Sequence, residues 1–244
     1  MAVREPRFED ANRRARQRIL ARKRKRQKEL IQHILLCSAV VIGLLSISAV
    51  MLKSAVKNMS NESGRQTLSK YVTDAPEYSK QLLPVNKNNR PGTAIEKVNG
   101  VVIHYTANPG STAQQNRNYF ENMAKTGERK VSSHFIIGLS GEIIMCVPLD
   151  EVAYASNERN ADTISIECCI DNEEGKFDEK TYESLVALTA WLVGEYDLTL
   201  DEVIRHYDVT GKNCPKYFVE HESAWEDFKI DLETYIDKNG IDKV

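Results

Sequence analysis

The chain has 244 residues, of which 41% are hydrophobic and 28% are charged. This length fits one domain of ordinary size with additional segments, and the composition excludes collagen-like and wholly disordered proteins. The net charge of −2 averages two different regions: residues 1–30 carry twelve Lys or Arg against four Asp or Glu, and the remainder carries 21 against 31. A basic arm joined to an acidic body argues against a nucleic-acid-binding globule.

A membrane segment is predicted directly after the basic arm. Residues 34–52 contain no charge, and a helix of nineteen residues spans roughly 28 Å, the thickness of a bilayer core. Nine Lys or Arg lie in residues 14–33 against four in residues 53–73. The positive-inside rule therefore places the N-terminus in the cytoplasm and the rest of the chain outside.

We accordingly predict a basic cytoplasmic arm over residues 1–30 and a transmembrane helix over residues 31–53. A cleaved signal peptide is the alternative, although the apolar run exceeds the usual length of its hydrophobic region. Beside a membrane span, the basic arm is expected to set the topology and contact anionic lipid, with RNA binding as the other option. Residues 54–93 are polar and contain Pro76, Pro84 and Pro91, which predicts an extracytoplasmic stalk.

From residue 94 onward, short apolar runs alternate with helical patterns, which predicts an α/β domain over residues 94–244. Helices are expected over residues 111–126, 180–196 and 223–236, where apolar side chains recur at helical spacing. Strands rich in β-branched residues are expected over residues 101–105, 134–137, 142–147, 163–170 and 203–206. The second and third of these strands flank a Gly-containing turn and therefore predict a hairpin.

Three residues of this body have the chemistry of a metal site. His104 lies in the first of these strands, His206 ends the last strand, and Cys214 follows eight residues later across a loop. Two neutral imidazoles and one thiolate form a three-ligand zinc set that leaves a fourth position for water. Since histidines at strand ends and buried cysteines are also common structural residues, these positions alone leave both interpretations open.

Four segments in this order resemble a known family: residues 103–105, 131–137, 163–167 and 206–215. They are similar to the type 2 zinc-dependent N-acetylmuramoyl-L-alanine amidases, which share their fold with phage amidase lysozymes and animal peptidoglycan recognition proteins. The resemblance covers residues 94–222 and implies a mixed central β-sheet flanked by helices, with zinc held by His104, His206 and Cys214. It also implies that the substrate is peptidoglycan, cleaved at the amide between N-acetylmuramic acid and L-alanine.

The resemblance further implies two catalytic side chains. Lys212 matches a lysine that the family keeps near the scissile carbonyl, where an ammonium group stabilises an oxyanion; otherwise it is an exposed loop lysine. Glu167 matches a catalytic glutamate of the anhydromuramyl branch, and a lone carboxylate on an apolar strand is costly to bury without a partner. The phage-lysozyme branch has a tyrosine where this chain has Ser133, so Glu167 is the expected general base. Burial would raise the pKa of Glu167 and nearby cations would lower it, and the sequence leaves this balance open.

The other histidines and cysteines of the body are expected to be structural. His134 is expected to pack near the site, and His221 is expected to be exposed at a helix start. Cys168 and Cys169 are adjacent strand residues that must face opposite sides of the sheet. Together with Cys146 they are interpreted as small apolar core residues, with a disulfide of Cys146 as the alternative.

The sequence as a whole predicts a single-pass membrane protein that presents a zinc amidase domain to the cell wall. Two other functions stay open. One is a module of the same fold that binds muropeptides without cutting them. The other is a thiol hydrolase with Cys214 as the nucleophile and His206 or His104 as the base. No feature of the sequence predicts an oligomeric state or a preference for a particular stem peptide.

Overall fold

The structure is a computed structural model that describes residues 68–243. The predicted basic arm, the predicted transmembrane helix and residues 54–67 of the predicted stalk lie outside the described residues. Within residues 68–243, none of the helices has the length and apolar character needed to cross a bilayer.

A mixed six-stranded sheet forms the centre of the described part. Its strands are β2 (Ser79–Lys80), β3 (Val101–Tyr105), β4 (Phe135–Ile137), β5 (Ile143–Met145), β6 (Ile164–Cys168) and β7 (Val203–Arg205). They lie in the spatial order β2-β5-β4-β6-β3-β7. Only β4 and β5 pair antiparallel within this sheet, and they form the predicted hairpin. The mixed central sheet is therefore confirmed.

Helices flank this sheet on both faces, as predicted. They are α1 (Ala113–Thr126), α2 (Glu179–Glu195), α3 (His206–Thr210), α4 (Lys216–Glu220) and α5 (Glu222–Asn239). Helix α1 begins with a capping box, in which Thr112 and Gln115 satisfy each other's backbone N–H groups. Helices α3 and α4 were not predicted, because five residues are too few to show a helical repeat.

Two hydrophobic cores cover the two faces of the sheet. The larger core lies beneath α2 and α5 and includes Ile166 and Cys168 of β6. The smaller core lies beneath α1 and includes Ile136 and Cys169. Cys168 and Cys169 therefore face opposite sides, as strand alternation requires. Both thiols are buried and unpaired in the structure, as is the thiol of Cys146.

The stalk prediction is wrong for residues 68–93, which pack onto the body. β1 (Lys70–Tyr71) pairs antiparallel with β8 (Ile241–Asp242), and β2 extends the central sheet beside β5. Leu68, Val72 and Leu83 are buried in the two cores. Sequence analysis did not predict these strands, because each has only two residues and the apolar side chains around them stand singly among polar ones. The folded unit therefore begins before residue 94.

Candidate metal centre

His104, His206 and Cys214 converge at one end of the central sheet. His104 lies in β3, and His206 is the first residue of α3, directly after the neighbouring strand β7. The sequence placed His206 at the end of that strand, but the Asp208 carboxylate accepts the backbone N–H of Arg205, and the strand ends one residue earlier than expected, at Arg205. Cys214 lies on the loop between α3 and α4.

The ligand atoms of these three side chains all lie within 4.8 Å of one another. Sγ of Cys214 is 3.9 Å from Nδ1 of His104, and the two imidazole rings are 4.6 Å apart between centroids. All three residues are buried. The folded chain thus brings the three predicted ligand residues together with a geometry that one metal ion can bridge.

The Nε2 atoms of both imidazole rings contact polar side chains of a neighbouring loop. Nε2 of His104 lies 3.1 Å from Oγ of Ser156, and Nε2 of His206 lies 3.0 Å from Oδ1 of Asn157. Nδ1 of His206 is buried and has no hydrogen-bond partner in the described part of the chain. An unsatisfied buried nitrogen is costly, and a metal ion bound there would remove that cost. The residues present therefore fit a metal ion.

Electrostatics at the site favour neutral imidazoles. Burial is the largest cause that lowers the pKa of both histidines, and the nearby charge of Lys212 lowers both further. Neutral imidazole is the form that binds metal. The two candidate ligand histidines therefore need no deprotonation at neutral pH.

The thiol of Cys214 needs a positive partner to ionise. Burial raises its pKa to about 12, although a hydrogen bond from the Tyr105 backbone and the charge of Lys212 act in the opposite direction. A thiol that coordinates a divalent cation is deprotonated. A free nucleophilic cysteine instead requires a lowered pKa. The surroundings of Cys214 therefore suit a metal ligand better than the nucleophile of a thiol hydrolase.

Glu167 lies beside this cluster. It pairs with His104 in the parallel register of β3 and β6, so both side chains leave the sheet on the same face. Its Oε2 atom is buried without a hydrogen-bond partner among residues 68–243. Burial raises the pKa of Glu167 to about 8, and the opposing influence of Lys212 is smaller. Within the protein chain itself, burial therefore outweighs the nearby positive charge, and the pKa of Glu167 is raised.

Lys212 lies exposed at the rim of the site, on the loop that leads to Cys214. Gly211 ends α3 in the left-handed conformation, with φ of 74°, and Lys212 is the first residue after this turn. The charge of Lys212 lowers the pKa of His104, His206 and Glu167. Its ammonium group is therefore close enough to the cluster to influence the charge of all three side chains.

Ser133 and His134 lie outside this cluster. Ser133, which stands where the resemblance implies a tyrosine in the phage-lysozyme branch, is fully buried and donates its hydroxyl to the carbonyl of Phe135. His134 is buried, accepts the backbone N–H of Ser165 at Nδ1 and contacts the carbonyl oxygen of Glu151 through Nε2. These bonds use both ring nitrogens of His134 within the protein. His221 is exposed at the start of α5, as predicted.

Sequence analysis missed Ser156 and Asn157, which contact the two histidines. They belong to a polar loop about 50 residues from either partner, and nothing in the local sequence distinguishes them from ordinary loop residues. Only the folded chain shows these contacts.

Comparisons with known proteins identify the family of the chain. A family model described as N-acetylmuramoyl-L-alanine amidase matches residues 94–217. The N-acetylmuramoyl-L-alanine amidase BlyA of Bacillus subtilis (strain 168) is 30% identical over 187 residues, covering 68% of this chain and 49% of BlyA. The N-acetylmuramoyl-L-alanine amidase CwlL of Bacillus licheniformis is 31% identical over 177 residues, covering 67% of this chain and 49% of CwlL.

Solved structures show the same fold. The catalytic domain of XlyA has a TM-score of 0.54 and 28% identity, over 64% of this chain and 99% of that domain. PlyL has a TM-score of 0.56 at 23% identity, over 64% of this chain and 97% of PlyL. The chain spans about half the length of the relatives BlyA and CwlL. Since the matched residues 94–217 make up half of the chain, the chain belongs to the N-acetylmuramoyl-L-alanine amidase family.

Proposed function

We propose that this protein is a zinc-dependent peptidoglycan hydrolase that cleaves the amide between N-acetylmuramic acid and L-alanine of the stem peptide. The observation that carries the proposal is the convergence of His104, His206 and Cys214 within 4.8 Å in a chain of the amidase family. Two imidazoles and a thiolate suit zinc, and three protein ligands leave a coordination position open, as in catalytic zinc sites.

The three ligand residues would hold the ion, and two other side chains would act on the substrate. A bound zinc ion supplies Lewis acidity, which polarises the scissile carbonyl and lowers the pKa of a water molecule in the cleft. Glu167 would accept the proton of the attacking water at its carboxylate and deliver it to the leaving alanine nitrogen. Lys212 would stabilise the negative charge that develops on the carbonyl oxygen.

The position of Glu167 supports its role as the proton carrier. Its Oε2 atom is free of hydrogen bonds within the described residues, so proton transfer there breaks no existing bond. Burial favours the protonated form, which is the form that donates to a leaving group. The charge of Lys212 favours the ionised form, which accepts the proton first, and a bound zinc ion would act in the same direction.

The proposal includes the location of the protein. A single transmembrane helix over residues 31–53 would anchor it in the cell membrane, with the N-terminus cytoplasmic and the amidase domain outside. The nineteen uncharged residues and the excess of Lys and Arg before them support this topology. Peptidoglycan lies on that side of the membrane, so the anchor would place the domain next to its substrate.

The test is mass spectrometry of purified peptidoglycan after incubation with the zinc-loaded full-length chain. Amidase activity would release free stem peptides that begin with L-alanine. The remaining glycan strands would carry a free carboxylate on the lactyl group of each cleaved N-acetylmuramic acid. Binding to peptidoglycan without any cleaved product would instead identify a recognition module. Cleavage that survives zinc removal but is lost on thiol alkylation would identify a thiol hydrolase.

A further inference from the structure

Two adjacent loop residues, Ser156 and Asn157, contact the outer nitrogens of both candidate ligand histidines. We propose that these two residues are positioning residues, which fix the ring orientation and the tautomer of His104 and His206 so that both Nδ1 atoms face the metal. This inference rests on the proposed zinc site. It assigns the neighbouring loop a part in the reaction that acts through the histidines and not through contact with the substrate.

The hydrogen bond to Asn157 selects one tautomer of His206. A carboxamide oxygen only accepts hydrogen bonds, so Nε2 of His206 must carry the proton in order to donate to Oδ1. A neutral imidazole holds one N–H proton, and Nδ1 is then left with a lone pair. This is the same nitrogen that is buried without a partner in the described part of the chain. The contact therefore prepares Nδ1 as a metal ligand.

Ser156 acts on His104 in the same way from a buried position. Its hydroxyl lies 3.1 Å from Nε2 of His104, and the opposite nitrogen, Nδ1, is the one that faces Cys214. The hydroxyl oxygen of Ser156 can accept a hydrogen bond from the Nε2–H group of His104, while its own hydrogen rotates toward another acceptor. Removal of Ser156 Oγ would leave a buried N–H group without an acceptor, which is costly.

The loop that carries the pair is itself held in place. Oδ1 of Asn160 accepts the backbone N–H groups of Ala155 and Ser156 at 3.0 and 2.6 Å. The hydroxyl of Thr163 donates to the carbonyl of Arg159, which closes the loop onto β6. Asn157 has a φ of 53°, in the left-handed region that asparagine adopts more readily than other residues with a side chain. The chain therefore holds an uncommon backbone conformation at the point where the side chain reaches His206.

The expected effects follow from burial. Groups that orient metal-bound histidines contribute about 10- to 100-fold to metal affinity. Asn157 is exposed, so water replaces part of its hydrogen bond after removal. We expect about a tenfold rise of the zinc dissociation constant for Asn157→Gly, and a larger rise, up to about 100-fold, for Ser156→Ala.

The test measures zinc dissociation constants of the full-length chain by competition with a chromophoric chelator. Asn157→Gly keeps the left-handed backbone and removes only the side chain. Asn157→Asp keeps an acceptor oxygen and should restore wild-type affinity or exceed it. The visible absorption spectrum of bound Co²⁺ should change in Asn157→Gly and Ser156→Ala, because it reports the geometry of the ligands.

The matched control is Asp197→Gly, another exposed residue in the left-handed region, with φ of 51°, which pairs with Lys243 away from the site. Its zinc affinity should equal that of the wild type. Wild-type affinity and spectrum in both Asn157→Gly and Ser156→Ala would overturn the inference and leave the proposed function intact. An equal loss in Asp197→Gly would also overturn it. A wild-type chain that binds no zinc would overturn the proposed function and this inference together.

Discussion

His104 and Glu167 lie opposite each other on the neighbouring parallel strands β3 and β6. Residues that pair in this way leave the sheet on the same face, so strand register alone places a carboxyl group beside a candidate metal ligand. The packing around Glu167 then buries Oε2 without giving it a partner among residues 68–243. The strand register thus places the proposed proton carrier next to the candidate metal centre.

Glu167→Gln should abolish most of the turnover while the fold and the zinc content survive. Glutamine keeps the shape of the side chain but accepts no proton, and general acid–base catalysis contributes roughly 10²–10⁴-fold. The measurement is peptidoglycan hydrolysis by the zinc-loaded full-length chain, with thermal melting as the control for folding. Glu174→Gln, at an exposed loop position, should retain wild-type turnover. Turnover near the wild-type rate in Glu167→Gln would show that another group carries the proton.

Cys214→Ser should lose most of its zinc, because a neutral hydroxyl is a far weaker zinc ligand than a thiolate. The wild type should contain about one zinc ion per chain, the stoichiometry of a single three-ligand site. Metal content is measured by atomic absorption after dialysis. Cys169→Ser offers the matched control, because this thiol is also buried but contacts the Asn116 amide outside the cluster. Full zinc retention in both Cys214→Ser and His104→Ala would refute the ligand assignment.

Protease added to intact cells or to wall-free protoplasts should remove the chain beyond residue 54 and spare the basic arm. The expectation rests on the charge difference across residues 34–52. Immunoblots against each end of the chain report which part survives, and a known surface protein serves as the positive control. Protection of the amidase domain while the surface protein is digested would show that the orientation is reversed.

The sequence predicts the central sheet and groups the candidate site residues for physical reasons. The strand that carries Glu167 alternates between buried apolar residues on one face and polar residues on the other, so the side on which the carboxylate lies follows from its position alone. His104, His206 and Cys214 could be grouped because their motifs match a family, and the structure brings the three together.

The remaining features depend on contacts between distant parts of the chain. Asn157 lies 49 residues from His206 along the chain, and its backbone conformation is imposed by the loop around it. Strands β1 and β2 have two residues each, too few for alternation to be visible. Their partners, β8 and β5, are what make them strands. Such elements are selected by tertiary packing and carry little local signal.

Residues 68–93 should be required for a stable domain. A fragment of residues 68–244 should unfold cooperatively, whereas a fragment of residues 94–244 should melt at a lower temperature or fail to fold. The shorter fragment lacks buried Leu68, Val72 and Leu83 and the ring of Tyr78, which stacks on Trp191. Each fully buried aliphatic side chain contributes about 1.5–3 kcal/mol. Thermal melting of the two fragments decides the question, and equal melting temperatures would show that these residues add no stability.

The stability of the domain should fall as the pH decreases from about 6.5 to about 4, and His134 should cause part of this fall. Burial lowers the pKa of His134 from 6.5 to about 4 in the folded chain. The unfolded chain therefore binds a proton at His134 over this range while the folded chain does not, so protonation favours unfolding as the pH falls. This pKa difference corresponds to about 3 kcal/mol of the free energy of unfolding. The contribution is fully present above the pKa of the unfolded chain and is lost below the pKa of the folded chain.

The measurement is chemical denaturation of metal-stripped wild type and His134→Gln at a series of pH values, followed by the fluorescence of Trp191 and Trp225. His104 and His206 are common to both chains, so their titration cancels in the difference. His134→Gln should be less stable at pH 7, because it loses the bonds to Ser165 and Glu151. Its free energy of unfolding should then change less between pH 6.5 and 4 than that of the wild type. Parallel curves over this range would show that His134 is protonated equally in the folded and unfolded chains.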